Sequence, residues 1–214
     1  MMEKIAIYGA GGFGREVACL IRMINSKNKI WDFIGFFDDG KPVGFQNEYG
    51  EILGGIQQLN SFEYPLNIVI AIGHPSTAKE VVSKIKNNNV SFPNLFSPDV
   101  IYLDKENIQF GKGNIVTVGC SFSCNVKIGD FNVFNGFIAV GHDTSLGNFN
   151  SMMTSVKIAG EVSVGNENYF GSSSVVLQQI KIGNKTTIGA NSTIMRNTKD
   201  GNTYIGTPAI KVKF

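Results

Sequence analysis

The sequence is poor in the residues that most often hold metals or cross-links. Its 214 residues include two His, three Cys and one Trp. Cys19, Cys120 and Cys124 form neither a CxxC spacing nor a paired framework, so we expect no metal site and a reduced, cytoplasmic setting. Any chemistry that requires an imidazole has only two candidates, His74 and His142.

Long apolar runs and strong charge are also missing. No stretch approaches the roughly eighteen apolar residues that a membrane-spanning helix needs. The short apolar run at residues 5–8 stops at Gly9, so we expect no signal peptide. A net charge of +2 without a basic cluster gives no reason to expect a nucleic acid partner. A hydrophobic content of 43% indicates a folded chain, long enough for two modest domains.

What the chain does have is an internal repeat in its second half. Apolar residues recur at a strict six-residue interval, and many are followed directly by Gly. A helix repeats near 3.6 residues and a half-buried strand at two, so neither gives a period of six. A chain that turns a corner every six residues does, and three sides then complete a coil of eighteen. The fifteen inward residues are Phe110, Val116, Phe122, Ile128, Phe134, Val140, Leu146, Met152, Ile158, Val164, Phe170, Val176, Ile182, Ile188 and Ile194.

The second domain, residues 101–214, is therefore predicted to be an all-β prism with a closing segment at its C-terminal end. The Gly after an inward residue suits either a corner with permissive backbone angles or the close approach of a neighbouring coil. Stacked coils pair at about 4.8 Å, so five coils span roughly 24 Å around a dry apolar interior. The alternative is a β-sandwich with accidental spacing.

The first domain, residues 1–100, is predicted to be a parallel α/β domain of the Rossmann type. Buried strands alternate with amphipathic helices, which favours a parallel sheet flanked by helices. Strands are expected at residues 4–8, 32–37, 67–72 and 90–95, and helices at 15–24 and 77–86.

A glycine motif, Gly9-x-Gly11-x-x-Gly14, joins the first strand to the first helix. Glycines let the backbone approach a pyrophosphate, and the helix N-terminus presents free N–H groups to its charge. Asp38, at the end of the next strand, is placed to reach a ribose or a base. The alternative is a tight strand-to-helix turn without a ligand. The candidate ligand-binding residues are Gly11, Gly12, Phe13, Gly14, Asp38, Asp39 and Gly73.

Two sets of motifs resemble known families. The six-residue repeat resembles the hexapeptide-repeat acyltransferases, and segments 5–14, 35–39 and 71–73 resemble the PglD and NeuD group of sugar acetyltransferases. The resemblance implies a left-handed parallel β-helix that binds acetyl-CoA, a Rossmann-like domain that holds a UDP-linked sugar, and a homotrimer with active sites between neighbouring prisms. Phe13 departs from the group, where many members have His.

His142 is the candidate catalytic base in the repeat. Acyl transfer to an amine or hydroxyl needs a group that removes the nucleophile's proton, and His suits that task. The resemblance gives His142 this role, with Asp143 orienting the ring; the pairing needs a corner at 142–143. The alternative is a solvated corner His. His74, at a strand end of the first domain, either lines the nucleotide pocket or caps a helix.

Other site residues follow from the eighteen-residue coil and from the resemblance. Gly160 lies one coil after His142, where its N–H is expected to bind the acetyl oxygen; the alternative is a glycine needed only for space. Asn135, seven residues before His142, matches a polar position of the group's active site. Ser151 stands where many members carry a second His.

The ending Gly206-Thr207-Pro208-Ala209 is close to the Gly-Asn-Pro-Ala of many hexapeptide acyltransferases, where it lies along the CoA arm. Gly171 and Gly189, eighteen residues apart, are expected to expose backbone to pantetheine. The lysines considered for the CoA phosphates, each alternatively a solvated surface residue, are Lys181, Lys185, Lys211 and Lys213.

The function predicted from the sequence is acetyl-CoA-dependent N-acetylation of a nucleotide-linked amino sugar in glycan biosynthesis. Acetylation of a sugar hydroxyl, as in sialic acid modification, is the alternative reaction, because the same base serves both. A catalytically silent nucleotide-sugar-binding trimer is the alternative from another class. An NAD-dependent oxidoreductase is a further rival, but the prism takes the place of its substrate domain.

Overall fold

The structure is a computed structural model that describes residues 2–212. The chain divides into two compact units, Met1–Pro98 and Asp99–Phe214. Lys213, one of the lysines considered for the CoA phosphates, lies outside the described residues. Among residues 2–212, every helix is too short or too polar to cross a membrane.

The first unit is a parallel sheet with helices, as the sequence predicted. Its sheet order is β3-β4-β2-β1-β5-β6, in which β3 and β4 pair antiparallel and the other neighbours pair parallel. The elements are β1 Glu3–Tyr8, α1 Gly12–Lys27, β2 Trp31–Phe37, β3 Gln46–Asn47, β4 Gly50–Gly54, α2 Ile56–Asn60, β5 Leu66–Ile70, α3 Pro75–Lys84, β6 Val90–Ser91 and β7 Leu95–Phe96.

Helix α1 shows why the apolar pattern places it on the sheet. Val17, Leu20, Ile21 and Ile24 are spaced i, i+3, i+4 and i+7, and all four are buried. The strand predicted at residues 90–95 is instead two short strands, β6 and β7. Pro93 lies between them, and a proline has no N–H for a ladder.

The second unit is a coil of two-residue strands. A 3₁₀ turn, Lys105–Asn107, separates the first two strands. The strands are β8 Ile101–Tyr102, β9 Gln109–Phe110, β10 Ile115–Val116, β11 Ser121–Phe122, β12 Lys127–Ile128, β13 Val133–Phe134, β14 Ala139–Val140, β15 Ser145–Leu146, β16 Ser151–Met152, β17 Lys157–Ile158, β18 Ser163–Val164, β19 Tyr169–Phe170, β20 Val175–Val176, β21 Lys181–Ile182, β22 Thr187–Ile188 and β23 Thr193–Ile194, followed by the closing strands β24 Thr203–Gly206 and β25 Ala209–Val212.

These strands form three faces of a parallel β-helix. From β9 to β20 each strand pairs in parallel with the strand eighteen residues later, as Val133 does with Ser151. At the two ends the offset changes: Ile101 pairs with Ser121 and Thr187 with Thr203. Face 1 contains β8, β11, β14, β17, β20 and β23; face 2 contains β9, β12, β15, β18 and β21; face 3 contains β10, β13, β16, β19, β22, β24 and β25. We call the corners after faces 1, 2 and 3 the first, second and third edge. The β-helix predicted from the six-residue period is confirmed.

The predicted inward residues form the core of this coil. Each of the fifteen is the second residue of a strand, and fourteen are buried. Phe110, in the first coil, is half-buried and packs edge-on against Phe122 at 5.2 Å between ring centroids. Phe122 in turn packs against Phe134 at 5.2 Å.

The glycine after an inward residue serves close approach and not a permissive backbone angle. A Cβ on Gly129 would lie 2.7–2.9 Å from the carbonyl group of Gly147 in the next coil. The left-handed backbone angle falls two residues later, where residues as large as Phe131 adopt it at φ 55°. Twelve non-glycine residues take this conformation, so the repeat itself stabilises a corner that side chains seldom adopt.

A buried asparagine ladder lines the inner side of the second edge, and the sequence analysis missed it. Asn114, Asn132, Asn150 and Asn168 lie one coil apart and are fully buried. The side-chain oxygen of each of the first three accepts hydrogen bonds from the backbone N–H and the side-chain amide of the next, at 2.9–3.1 Å. Because buried amides are costly without partners, the ladder fixes the stacking register.

We expect Asn150→Leu to destabilise the second unit by about 2–4 kcal/mol. The leucine leaves the N–H and the side-chain amide of Asn168 without their acceptor. The oxygen of Asn132 loses the amide donor and keeps only the backbone N–H of residue 150. Urea unfolding measures the change. Asn191→Ser, at an exposed corner whose conformation Ser155 also adopts, is the control and should be close to neutral. Equal stability of Asn150→Leu and the parent chain would contradict the role of the ladder.

Candidate active site

His142 and Asp143 form a hydrogen-bonded pair on the first edge of the β-helix. The Nδ1 atom of His142 lies 2.8 Å from Oδ2 of Asp143. Neighbouring residues of a strand point to opposite faces, but Asp143 has a left-handed backbone angle, φ 56°, which turns the two side chains together. The side chains are 53% and 49% exposed, so the pair is open to solvent and to a ligand.

Asp143 is held from a second side by Asn125. The Nδ2 of Asn125, one coil earlier, donates to Oδ1 of Asp143 at 3.0 Å. The hydrogen bonds from His142 and then from Asn125 hold the pKa of the Asp143 carboxyl below its usual range. The carboxylate therefore stays ionised and orients the imidazole so that Nε2 is the free nitrogen.

Gly160 lies directly beside the imidazole. A Cβ at Gly160 would be 2.5 Å from Nε2 and 2.6 Å from Cε1 of His142, so only glycine leaves the ring its place. Within residues 2–212 the Gly160 N–H donates to no acceptor. The structure thus brings His142, Asp143 and Gly160 together, with both a base and a free donor at one place on the edge.

Asn135, Gly171 and Gly189 lie on the third edge, on the other side of face 1 from His142. They follow inward residues of face 3 and belong to one column with eighteen-residue spacing. A Cβ on Gly171 would lie 2.5 Å from the backbone N of Ala190, so this edge is also tightly stacked. A single chain therefore does not bring Asn135 next to His142.

Pro208 lies in the exposed turn between β24 and β25. The hydroxyl of Thr207 donates to the carbonyl of Asn191 at 3.1 Å and ties this turn to the third edge. Ser151, at the position of the second His of the resembling group, is buried on face 3.

In the first unit the glycine motif forms the start of α1. Gly11 is the N-cap, no side chain caps the helix, and its first turn contains no acid. A Cβ on Gly11, Gly12 or Gly73 would meet nothing within 4 Å, so all three border open space. The strand order reverses between β1 and β5, and ligands of open α/β sheets bind in the crevice at that point.

Asp38 and Asp39 hold the loops around this crevice. Asp38 accepts the N–H of Ala10 at 2.8 Å and that of Gly40 at 2.9 Å. Asp39 accepts the hydroxyl of Tyr8 and, at 2.8 Å, the N–H of Ile56. Burial, followed by the Asp39 hydrogen bond, raises the pKa of Tyr8. The carboxylates of Asp38 and Asp39 therefore hold the backbone of the loops around the crevice.

The remaining residues of the motif differ in their packing. Phe13 is half-buried, whereas Gly14 is buried and a Cβ there would overlap the carbonyl oxygen of Gly9. The third glycine is thus required for the contact between helix and strand. His74 is the exposed N-cap of α3, with Nδ1 3.0 Å from the hydroxyl of Ser76.

A polar groove borders the His142–Asp143 pair, and neither the groove nor Asn125 was predicted from the sequence. The groove has a volume of about 390 Å³ on the face 2 side of the first edge. Asn125 lies eighteen residues before Asp143, so the coil length that located Gly160 also locates Asn125. The lining residues are Glu106, Asn107, Gln109, Asn125, Lys127, Asp143, Thr144 and Ser145.

The comparisons with known proteins cover both units. The family model of the PglD N-terminal domain matches residues 4–85. No protein of curated function matches the sequence. The acetyltransferase domain of PglB from Neisseria gonorrhoeae FA1090, solved in complex with acetyl coenzyme A, is 25% identical with a TM-score of 0.88, over 99% of this chain and 100% of that one.

Two further solved structures are similar over the full length. WeeI from Acinetobacter baumannii AYE is 25% identical with a TM-score of 0.87, over 99% of this chain and 100% of that one. PerB from Caulobacter crescentus, in complex with CoA and GDP-perosamine, is 23% identical with a TM-score of 0.87, over 100% of this chain and 99% of that one, and supports the fold alone.

The fold and these similarities define the class first: the second unit is a left-handed parallel β-helix, and the whole chain is similar to solved acetyltransferase structures. The first unit matches the PglD N-terminal domain, and the whole chain resembles the acetyltransferase domain of PglB. The resemblance predicted from the motifs is confirmed.

We expect Gly14→Ala and Gly12→Ala to differ in stability, because Gly14 is packed against the backbone and Gly12 borders open space. Gly14→Ala forces Cβ into the Gly9 carbonyl and should destabilise the first unit by about 2–3 kcal/mol. Gly12→Ala enters open space in a helix and should leave stability unchanged or raise it by up to about 1 kcal/mol. Thermal unfolding compares the two, and equal losses would contradict the described packing.

Proposed function

We propose that this chain transfers the acetyl group of acetyl-CoA to the amine of a nucleotide-linked amino sugar. The observation that carries the proposal is the His142–Asp143 pair with Gly160 beside the imidazole, on an open edge of an acyltransferase β-helix. The nucleotide we expect is UDP. The reaction belongs to glycan biosynthesis in the cytoplasm, which agrees with three free cysteines.

The arrangement of His142, Asp143 and Gly160 supports direct transfer. The nitrogen of the sugar amine attacks the thioester carbonyl carbon, and Nε2 of His142 accepts the proton that this nitrogen loses. Asp143 stabilises the imidazolium that forms. The N–H of Gly160 donates to the carbonyl oxygen as it becomes negative. The C–S bond then breaks, the amide forms, and the leaving CoA thiolate takes up a proton.

The first unit holds the nucleotide end of the acceptor. A diphosphate carries negative charge that the uncapped N-terminus of α1 attracts, and Gly11 and Gly12 allow its close approach. Gly73 borders the same crevice at the end of β5. Asp38 and Asp39 keep the surrounding loops in place through the hydrogen bonds that they accept from backbone N–H groups.

Three copies complete the site by packing through face 1. Exposed apolar side chains gather beside this face: Ile101 lies on face 1, and Leu103, Leu177 and Met195 lie on its first edge, all 40–74% exposed. Since face 1 lies between the first and third edges, packing of the third edge of one copy against the first edge of the next closes a ring.

Such a ring brings the third edge of one copy to the His142 edge of the next. It places the partner's Asn135 near the reacting groups, and the partner's Gly171, Gly189 and Pro208 along the CoA arm. The outward strand residues of face 2 are polar instead, which leaves that face to solvent. They are Gln109, Lys127, Ser145, Ser163 and Lys181.

Replacing the base should abolish transfer. We expect His142→Gln to lower kcat by about 10²–10⁴-fold, because the amine loses its proton acceptor. Free thiol release from acetyl-CoA, measured with a panel of UDP-, dTDP- and GDP-linked amino sugars, gives the rate, and product mass identifies the acetylated sugar. Lys112→Gln, on the second edge, should match the parent chain.

Three outcomes would contradict this function. Full turnover by His142→Gln would exclude the imidazole as the base. Acetylation of sugar hydroxyls in preference to amines would assign the chain to O-acetylation. Binding of nucleotide sugars without thiol release by the parent chain, over the whole panel, would indicate a silent binding protein.

A charge on the first edge, beside face 1, should break the assembly. We expect Leu177→Glu to shift the protein from trimer to monomer in sedimentation velocity, because the carboxylate is desolvated in the interface. Ser163→Glu places the same charge on face 2 and should leave the trimer intact. A monomeric parent chain, or a trimer that survives Leu177→Glu, would contradict packing through this face.

A further inference from the structure

On the first edge, a column of residues forms two amide–carboxylate pairs that differ in their further contacts. Asn125, Asp143, Glu161 and Gln179 occupy the same corner position in successive coils, all with φ between 54° and 61°. They form two amide–carboxylate pairs: Asn125 donates to Asp143 at 3.0 Å, and Gln179 donates to Glu161 at 3.2 Å. Only the Asp143 carboxylate also contacts His142.

The backbone does not explain an asparagine at position 125. Asparagine tolerates the left-handed conformation well, but Phe131 and Lys185 hold the same angles in this β-helix. Ser155 and Ser173 do so too, at φ 65° and 58°. The side chain of Asn125 is therefore free to serve another purpose, and its amide is used on Asp143.

Asp143 needs such a partner because little else restrains it. Its side chain is about half exposed, and so is the ring of His142 that it orients. A carboxylate held by one hydrogen bond rotates and exchanges its oxygens, and the ring then loses its orientation. With Oδ1 on Asn125 and Oδ2 on His142, the carboxylate plane is defined by two contacts.

We propose that Asn125 is a positioning residue that acts through Asp143 to hold Nε2 of His142 beside Gly160. The proposal rests on the proposed function, in which Nε2 takes the proton of the acceptor amine. The contact chain runs across one coil, from Asn125 to Asp143 to His142, and then to Gly160 in the coil beyond.

The charged groups near these contacts determine how a substitution at position 125 changes the titration of His142. Glu106 and Lys127 line the groove beside Asp143, and Glu161 occupies the next coil of the column. The hydrogen bond from His142, and after it the amide of Asn125, lower the pKa of the Asp143 carboxyl and so favour its ionised form. A carboxylate at position 125 would instead face Asp143 directly, and the added negative charge stabilises a protonated imidazole.

A titration without any substrate tests the contact chain. The chain has two histidines, so the imidazole Cε1–H signals in NMR spectra are two, and His142→Gln identifies which belongs to His142. We expect Asn125→Asp to move the midpoint of the His142 titration upward by about one pH unit. Gln179→Glu adds the same charge beside Glu161, and we expect it to move that midpoint by less than half as much.

A kinetic experiment tests the positioning role. Asn125→Ser keeps a residue that this corner accepts but removes the amide donor, and the shorter serine hydroxyl does not reach the Asp143 carboxylate in its place. We expect kcat to fall about tenfold with an unchanged KM for acetyl-CoA. The acid limb of kcat/KM should move to higher pH in Asn125→Asp. Gln179→Ser, the matched control in the same column, should retain the parent rate and pH profile.

The two experiments separate this inference from the proposed function. An unshifted His142 midpoint in Asn125→Asp, or an equal shift in Gln179→Glu, overturns the contact chain whatever the enzyme does. Parent-level kcat in Asn125→Ser, or an equal loss in Gln179→Ser, overturns the positioning role. Absence of acetyl transfer by the parent chain, together with the expected titration shift, overturns the proposed function and leaves the contact chain in place.

Discussion

The second unit depends on one constraint: between its two ends, each strand residue of the coil lies beside the residue eighteen positions further on. The backbone hydrogen bonds between coils impose this register, and each column of the β-helix then has a single requirement. Inward columns need apolar bulk, the column after them needs glycine where the next backbone comes close, and the buried side of the second edge needs amides that bond along the axis. The contacts of His142 with Gly160 and of Asn125 with Asp143 are further products of the same spacing.

The six-residue period made the β-helix predictable because it is a global signal that no single residue can obscure. Fifteen inward positions agree with one another, so even the half-buried Phe110 does not disturb the pattern. The parallel sheet of the first unit was predictable from strand and helix periodicity, and α1 packs by the face that its spacing indicates. The hairpin β3–β4 and the short helix α2 were not, since elements of two to five residues contain too few positions for a period to appear.

The candidate site could be predicted from the sequence only where its residues are related by the eighteen-residue coil or belong to a recognised motif. His142 and Gly160 are related by eighteen residues, and their proximity follows from that offset. Asn125 has the same relation to Asp143, but an asparagine in an asparagine-rich chain gives no signal until its amide is seen on the carboxylate. Asp38 illustrates the opposite case: the sequence placed it correctly at the end of a strand, while its partners proved to be backbone N–H groups of neighbouring loops. Sequence position therefore located these side chains, and only coordinates assigned their hydrogen bonds.

Exposure links the proposed catalysis to the proposed assembly. In a single chain the side chain of His142 is about half exposed to solvent. Water at this edge weakens the hydrogen bond between His142 and Asp143, and it weakens any hydrogen bond to a developing oxyanion there. In the proposed trimer, packing of a second copy along face 1 would remove water from that edge and strengthen both interactions without any change in the chain itself. In that assembly the apolar side chains of Leu177 and Met195, which a single chain leaves 40% and 46% exposed, would desolvate the reacting groups as well as hold the copies together. The proposed base lies on an exposed edge, so a single chain does not supply all sides of the proposed site. The same coil presents its glycine column on the opposite edge of face 1, where the proposed trimer would bring it against the base of another copy.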